Sequence, residues 1–142
     1  MFLVVDTSVL FSLFRKSSKI NELIRELRRK GFKLLAPEFA FLELKALAPK
    51  ISKFSGLTSS EIEEALISLK KVIKEVAKAE YSQFLEEASK ISPHKKDTPL
   101  FALSLAFNKA PIWSREPKLK RQKVIKVLAD KEIEELLKES SE

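Results

Sequence analysis

Phe2-Leu3-Val4-Val5-Asp6-Thr7-Ser8 is the stretch from which the fold can be read. Four apolar residues that stop on an acid and two hydroxyls describe a strand buried on both faces, with a carboxylate carried to the edge of a sheet. In open α/β sheets ligands bind beyond the carboxyl ends of the strands, so Asp6 stands where chemistry is usually done. One acid is a weak signal. Its weight depends on whether other carboxylates converge on it.

Outward from this strand, helices and strands alternate. Ile20, Leu23, Ile24 and Leu27 repeat at helical spacing and Gly31 closes that helix. Residues 32–36 read as a second strand, and Pro37 opens the next helix at its tolerated first turn. Thr58 and Glu61 have capping-box spacing ahead of Ile62, Leu66, Leu69, Ile73 and Val76, so a helix is predicted to run through Val76. A shorter helix is predicted around residues 81–91 and a polar loop at 92–96. Residues 97–107 follow as a helix apolar almost all round, which should lie buried and central. Ile112-Trp113 and residues 124–127 read as strands, and Asp130 is expected to cap a last helix carrying Ile133, Leu136 and Leu137. This alternation predicts an α/β/α sandwich of three layers around a mainly parallel sheet, in one domain spanning residues 1–142.

Composition narrows the chemistry. The chain has 44% hydrophobic and 33% charged residues, the balance of a globular protein, and no apolar run nears the roughly 20 residues that cross a bilayer. The first apolar run is too short for a signal peptide, which predicts a cytoplasmic protein without a membrane partner. There is no cysteine and one histidine, His94, so thiolate and histidine metal clusters are excluded within one chain. Any metal must be held by oxygen, which favours Mg²⁺ or Mn²⁺. Twenty-seven basic residues against 20 acidic ones give a charge of +7, suited to a polyanion such as nucleic acid, although lysine-rich surfaces also serve solubility. The basic residues cluster at Arg15, Lys16 and Lys19, at Arg25, Arg28, Arg29, Lys30 and Lys33, and at Lys118, Lys120, Arg121 and Lys123. Scarce Asn and Gln beside abundant Lys and Glu suggest a thermophilic source.

Three further acids stand out. Glu43 falls on the apolar side of its helix, between Phe39 and Leu47, where a carboxylate costs several kcal/mol unless it is paired or bound to a metal. A buried salt bridge would explain it equally well. Asp97 opens the apolar helix, where capping alone is a sufficient reason for an Asp. Glu116 follows Trp113-Ser114-Arg115 just beyond a predicted strand. Asp6, Glu43, Asp97 and Glu116 could therefore meet in one cleft, and such a cluster repels itself unless a cation is present.

In these motifs the chain resembles the PIN domain family. Val4-Val5-Asp6-Thr7-Ser8-Val9-Leu10 looks like the first PIN motif, Phe41-Leu42-Glu43-Leu44 like the segment with the helical glutamate, and Asp97-Thr98-Pro99-Leu100-Phe101-Ala102-Leu103-Ser104-Leu105 through Pro111-Ile112-Trp113-Ser114-Arg115-Glu116 like the C-terminal motif. The resemblance implies metal-dependent cleavage of RNA, most often by VapC-like toxins of toxin–antitoxin pairs, otherwise by stand-alone PIN proteins. It implies Mg²⁺ or Mn²⁺ held mainly by Asp6 and Asp97, with Glu43 and Glu116 serving a second ion or its waters. Thr7, Ser8 and Ser114 would orient a water or a carboxylate, and Lys95, Lys96, Arg115, Lys118 and Arg121 are candidates to hold RNA. Implied partners are an antitoxin protein and a second copy of the chain. Glu116 stands where the family usually has Asp, and Arg115 where Asn is usual. One extra methylene moves a carboxylate by about 1.5 Å, comparable to misplacements that cost about 100-fold in rate.

Other enzyme classes find no support in the sequence. Two glycines leave no phosphate-binding loop, His94 has no nucleophile motif near it, and Asp6 lacks the second acid two residues on that an aspartyl phosphatase would need. The alternative from another class is a degenerate PIN-like domain that binds RNA or protein without cutting, with the Arg115 guanidinium replacing a metal among the carboxylates.

Overall fold

The structure is a computed structural model that describes residues 1–15 and 18–139. Lys16, which belongs to the first basic cluster, lies outside the described residues. β1 (Phe2–Val5) is followed by α1 (Thr7–Ser12), α2 (Ile20–Arg29) and β2 (Lys33–Pro37). Next come α3 (Glu38–Ala46), α4 (Ala48–Ser55), α5 (Ser59–Val72) and β3 (Lys74–Val76). Then α6 (Leu85–Ile91), α7 (Thr98–Ala106), β4 (Ile112–Trp113), β5 (Val127–Leu128) and α8 (Asp130–Glu139) complete the order, with short 3₁₀ turns between some of them. The sheet order is β3-β2-β1-β4-β5 and every pairing is parallel. The expected three-layer α/β/α architecture is what forms.

Alternation along the strands divides the core in two. Leu3, Val5, Leu34, Ala36, Trp113 and Leu128 face one layer, which draws buried side chains from α1–α5 and α8. Val4, Leu35, Val76, Ile112 and Val127 face the other, which is filled chiefly by α6 and α7. Leu100 to Leu105 of α7 are all buried, as its unbroken apolar composition predicts.

Local signals place several boundaries. Gly31 adopts φ +93° while its N–H donates to the Arg28 carbonyl and the Phe32 N–H to the Leu27 carbonyl, a Schellman ending for α2. The Thr58–Glu61 capping box forms in both directions, at 3.2 and 2.9 Å.

Three expectations are corrected. The helix from Thr58 stops at Val72, and residues 74–76 pair with β2 as an edge strand. Ile73 and Val76 satisfy helical spacing and strand burial alike, so periodicity could not separate the two. The last strand begins at Val127 rather than 124, because Gln122 holds the preceding residues in a loop. Its amide donates to the carbonyls of Leu119 and Ile125, and its oxygen accepts from the N–H groups of Val124 and Ile125. Asp130 is not the cap of α8: Glu132 reaches back to the Ala129 N–H instead, and Asp130 accepts from the Trp113 indole at 2.9 Å.

Candidate active site

The order β3-β2-β1-β4-β5 reverses direction between β1 and β4, and crevices open at such a switch point beyond the carboxyl ends of the strands. Asp6 leaves β1 here and Ser114 to Glu116 leave β4. α3 and the start of α7 close the sides, bringing Glu43 and Asp97. The four acids all line one cavity of about 490 Å³.

Asp6 is 8% exposed, and its Oδ2 accepts from the Ser114 hydroxyl at 2.7 Å and the Ser8 hydroxyl at 2.8 Å. Each serine is fixed in turn by a backbone N–H, that of Glu116 to Ser114 and that of Arg115 to Ser8, both at 3.0 Å. The strand end of β4 is thus tied to the strand end of β1 through the carboxylate. Thr7 donates to Glu43 Oε1 at 2.8 Å, and no ion pair to Glu43 occurs within 4.0 Å among the described residues. The salt-bridge explanation for this acid therefore fails.

Capping fails for Asp97 too. Its side chain makes no cap hydrogen bond to α7, and its Oδ2 is buried with no partner among the described residues. A buried carboxylate oxygen left unpaired is costly, and it requires an explanation such as an ion.

Burial raises the pKa of Asp6, Glu43 and Asp97 above the usual carboxylate range. Hydroxyl donors oppose this at Asp6 and Glu43, and nearby Lys118 opposes it at Asp97, whereas the neighbouring acids reinforce it at all three. Glu116 stands half-buried with Lys118 Nζ 3.5 Å from its Oε2. Among the described residues, no three acids or histidines are drawn together tightly enough to hold an ion without movement.

Of the expected RNA-holding residues, Lys96, Arg115 and Lys118 line the cleft. Lys95 lines a separate depression beside Tyr81 and Leu85, and Arg121 lies exposed at the end of the 3₁₀ turn Pro117–Arg121. The Arg115 guanidinium pairs with Asp130 at 3.4 Å and with none of the four acids within 4.0 Å, so it does not replace a metal among them. Phe11, Arg15 and Lys50 also line the cleft and were not assigned to it from sequence. Arg15 lies 5.0 Å over the Phe54 ring and Lys50 5.8 Å over Phe11, making a cationic and aromatic wall. Phe11 lies one turn of α1 beyond Thr7 and so on the same face, which is the signal that could have placed it; Lys50 had none, since only the packing of α4 brings it here.

The fold and its cleft define a parallel α/β/α domain with four carboxylates gathered at the switch point of the sheet. The chain belongs to the PIN domain family, whose model matches residues 4–137. Members of this family are generally nucleases. Comparison with curated protein sequences gave no match. Among solved structures, the fold is similar to that in VapBC2 from Rickettsia felis bound to a DNA fragment from their promoter, with a TM-score of 0.72 and 12% identity over 91% of this chain and 98% of that one. It is also similar to that in VapBC-1 from nontypeable Haemophilus influenzae, with a TM-score of 0.63 and 15% identity over 91% and 98% of the two chains.

Proposed function

We propose that residues 1–142 act as one PIN domain that is a Mg²⁺- or Mn²⁺-dependent endoribonuclease, serving as the toxin of a type II toxin–antitoxin pair. The observation that carries this reading is the unpartnered, buried Oδ2 of Asp97 in a cavity shared with three other carboxylates. The donors are all oxygen, which fits a hard divalent ion. Asp6 and Asp97 would hold it, with Glu43 and Glu116 serving a second ion or its waters. Such ions, when bound, acidify water and offset charge on phosphoryl oxygens.

The chain itself supplies orientation and affinity. Ser8 and Ser114 fix the Asp6 carboxylate, and Thr7 fixes Glu43. Lys96, Lys118, Arg115, Arg15 and Lys50 ring the acids and can hold the phosphates on either side of the cut bond, with Lys95 and Arg121 further along the strand. The VapBC likenesses support an antitoxin partner, and the reading includes a homodimer acting in the cytoplasm. No helix among the described residues is long and apolar enough to cross a membrane.

A second reading, an RNA- or protein-binding domain without cleavage, is favoured by the spread of the acids and by the Lys118–Glu116 pair, which neutralises one of them. The test is cleavage of a mixed structured and single-stranded RNA set with Mn²⁺ or Mg²⁺, comparing wild type, Asp6→Asn, and wild type with a chelator. Loss of cutting in both controls supports the nuclease. Cutting that survives Asp6→Asn refutes the site, and binding without cutting transfers the reading to the alternative.

A further inference from the structure

In a parallel sheet all strands start at one pole, and the pole opposite the acidic cleft carries a second groove. Arg28 and Arg29 reach it from the last turn of α2 with Arg25 from the middle of that helix, and Lys70 and Lys71 from the last turn of α5. Lys33 and Lys74 join them at the starts of β2 and β3. Glu75 is the one acid among its described lining residues. Arg29 is paired with Glu26, and Lys70 with Glu75. Arg25, Arg28, Lys71 and Lys74 are exposed, and no described acid lies within 4.0 Å of them. The carbonyl ends of two helices favour cations nearby, which accounts for Arg28 and Lys71 but not for Lys33 and Lys74, which begin strands.

Aromatic surface lies in the same groove. Phe2 is 37% exposed, meets Phe107 edge to face at 5.0 Å, and has the Lys33 ammonium 6.0 Å from its ring centroid. A cationic track with a ring for a base to stack on is the recurrent make-up of single-stranded nucleic-acid sites. We infer that this groove is a second RNA-docking surface, holding the backbone of single-stranded RNA at the pole opposite the acidic cleft. From Phe2 to Asp6 the strand alone separates the two by about 13 Å, so one molecule of RNA can occupy both only by passing around the domain.

The groove can be tested without catalysis, so its failure is distinct from failure of the nuclease reading. Binding of a fluorescein-labelled 20-nucleotide single-stranded RNA of mixed sequence is followed by anisotropy in a chelator, between 50 and 200 mM salt. Four phosphate contacts give a log–log salt slope near −2.8, or about a 50-fold loss of affinity over that range. Arg28→Gln/Lys71→Gln/Lys74→Gln should flatten the slope by about 2 and weaken binding at least about ten-fold at low salt, with the melting temperature monitored alongside. Lys53→Gln/Lys90→Gln/Lys138→Gln, which removes as much charge from exposed positions outside both grooves, should leave the binding in place. If the groove variant binds like wild type, or this control weakens binding as much, the second surface does not exist. Absence of RNA binding by the wild type overturns it equally, and would assign the groove to another polyanion.

Discussion

Stability measured with and without metal, across pH, interrogates the acidic cleft most directly. Asp6, Glu43 and Asp97 have their pKa values raised in the fold, chiefly by burial. A carboxyl raised in this way contributes stability that is fully present below its unfolded pKa of about 4 and is lost as pH climbs through the folded value. In a chelator, these three groups therefore make the protein less stable as pH rises. A divalent ion binds the ionised carboxylates, so its stabilisation must grow over the same window. Glu61 and Glu132, whose pKa values are lowered by hydrogen bonds, act in the opposite sense but equally in both arms, and they cancel in the difference.

The size of the shift follows from chain length. At about 2.1 cal/mol/K per residue, 142 residues have an unfolding entropy of about 0.3 kcal/mol/K, so each kcal/mol moves the melting temperature by about 3.4 °C. An ion at 100 times its Kd adds about 2.7 kcal/mol, or about 9 °C. Calorimetry over pH 4 to 8 with Mn²⁺ or chelator should give a difference that rises with pH and nearly vanishes in Asp97→Asn. In chelator that variant should not melt earlier, since it replaces a desolvated charge lacking a partner with a neutral amide of the same shape. A difference that is flat or falling with pH, or one that persists in Asp97→Asn, refutes the reasoning.

Smaller perturbations test the parts. Ser114→Ala removes a donor to the Asp6 carboxylate and strands the Glu116 N–H; at about 1.5–3 kcal/mol the melting temperature should fall by about 5–10 °C, and an unchanged value would mean the tie between β1 and β4 carries no stability. Gly31→Ala meets nothing within 4 Å, so only its φ of +93° opposes the change; scanning calorimetry should register a loss of about 1–2 kcal/mol, and no loss would show the α2 ending to be adaptable. Glu116→Asp draws the carboxylate back from Lys118 by about 1.5 Å towards the length usual in the family, and single-turnover RNA cleavage should quicken. Slower cleavage would mean that the rest of the cleft is fitted to glutamate.

Much of this was legible in the chain because the deciding signals are local. A four-residue apolar run ending on Asp6, a Gly31 helix ending and a Thr58–Glu61 box each need only a few neighbours to act. β3 was hidden because Ile73 and Val76 suit a helix as well as an edge strand, and pairing with β2 decided between them. β5 was misplaced because one side chain, Gln122, commits four hydrogen bonds to a loop, which no propensity scale registers. At the cleft, the types and chain positions of the four acids pointed to convergence. Which cations face them did not follow, since Lys50 and Lys95 differ only in how α4 and the turn before α7 are packed.

The polarity of the sheet explains why the basic excess does not blunt the acidic site. Acids delivered from strand ends and neighbouring helices gather at the carboxyl pole, whereas the last turns of α2 and α5 bring their cations to the amino pole. The poles stand about 13 Å apart along β1, and the leading cationic influences on Glu43 and Asp97 come from residues lining the cleft itself. The acids therefore feel mainly the cations on their own rim, Lys96 and Lys118, which oppose their mutual repulsion without cancelling it. On the proposed reading, excess positive charge then raises the local concentration of RNA at one pole while the other keeps the negative field that the proposed divalent ion would require.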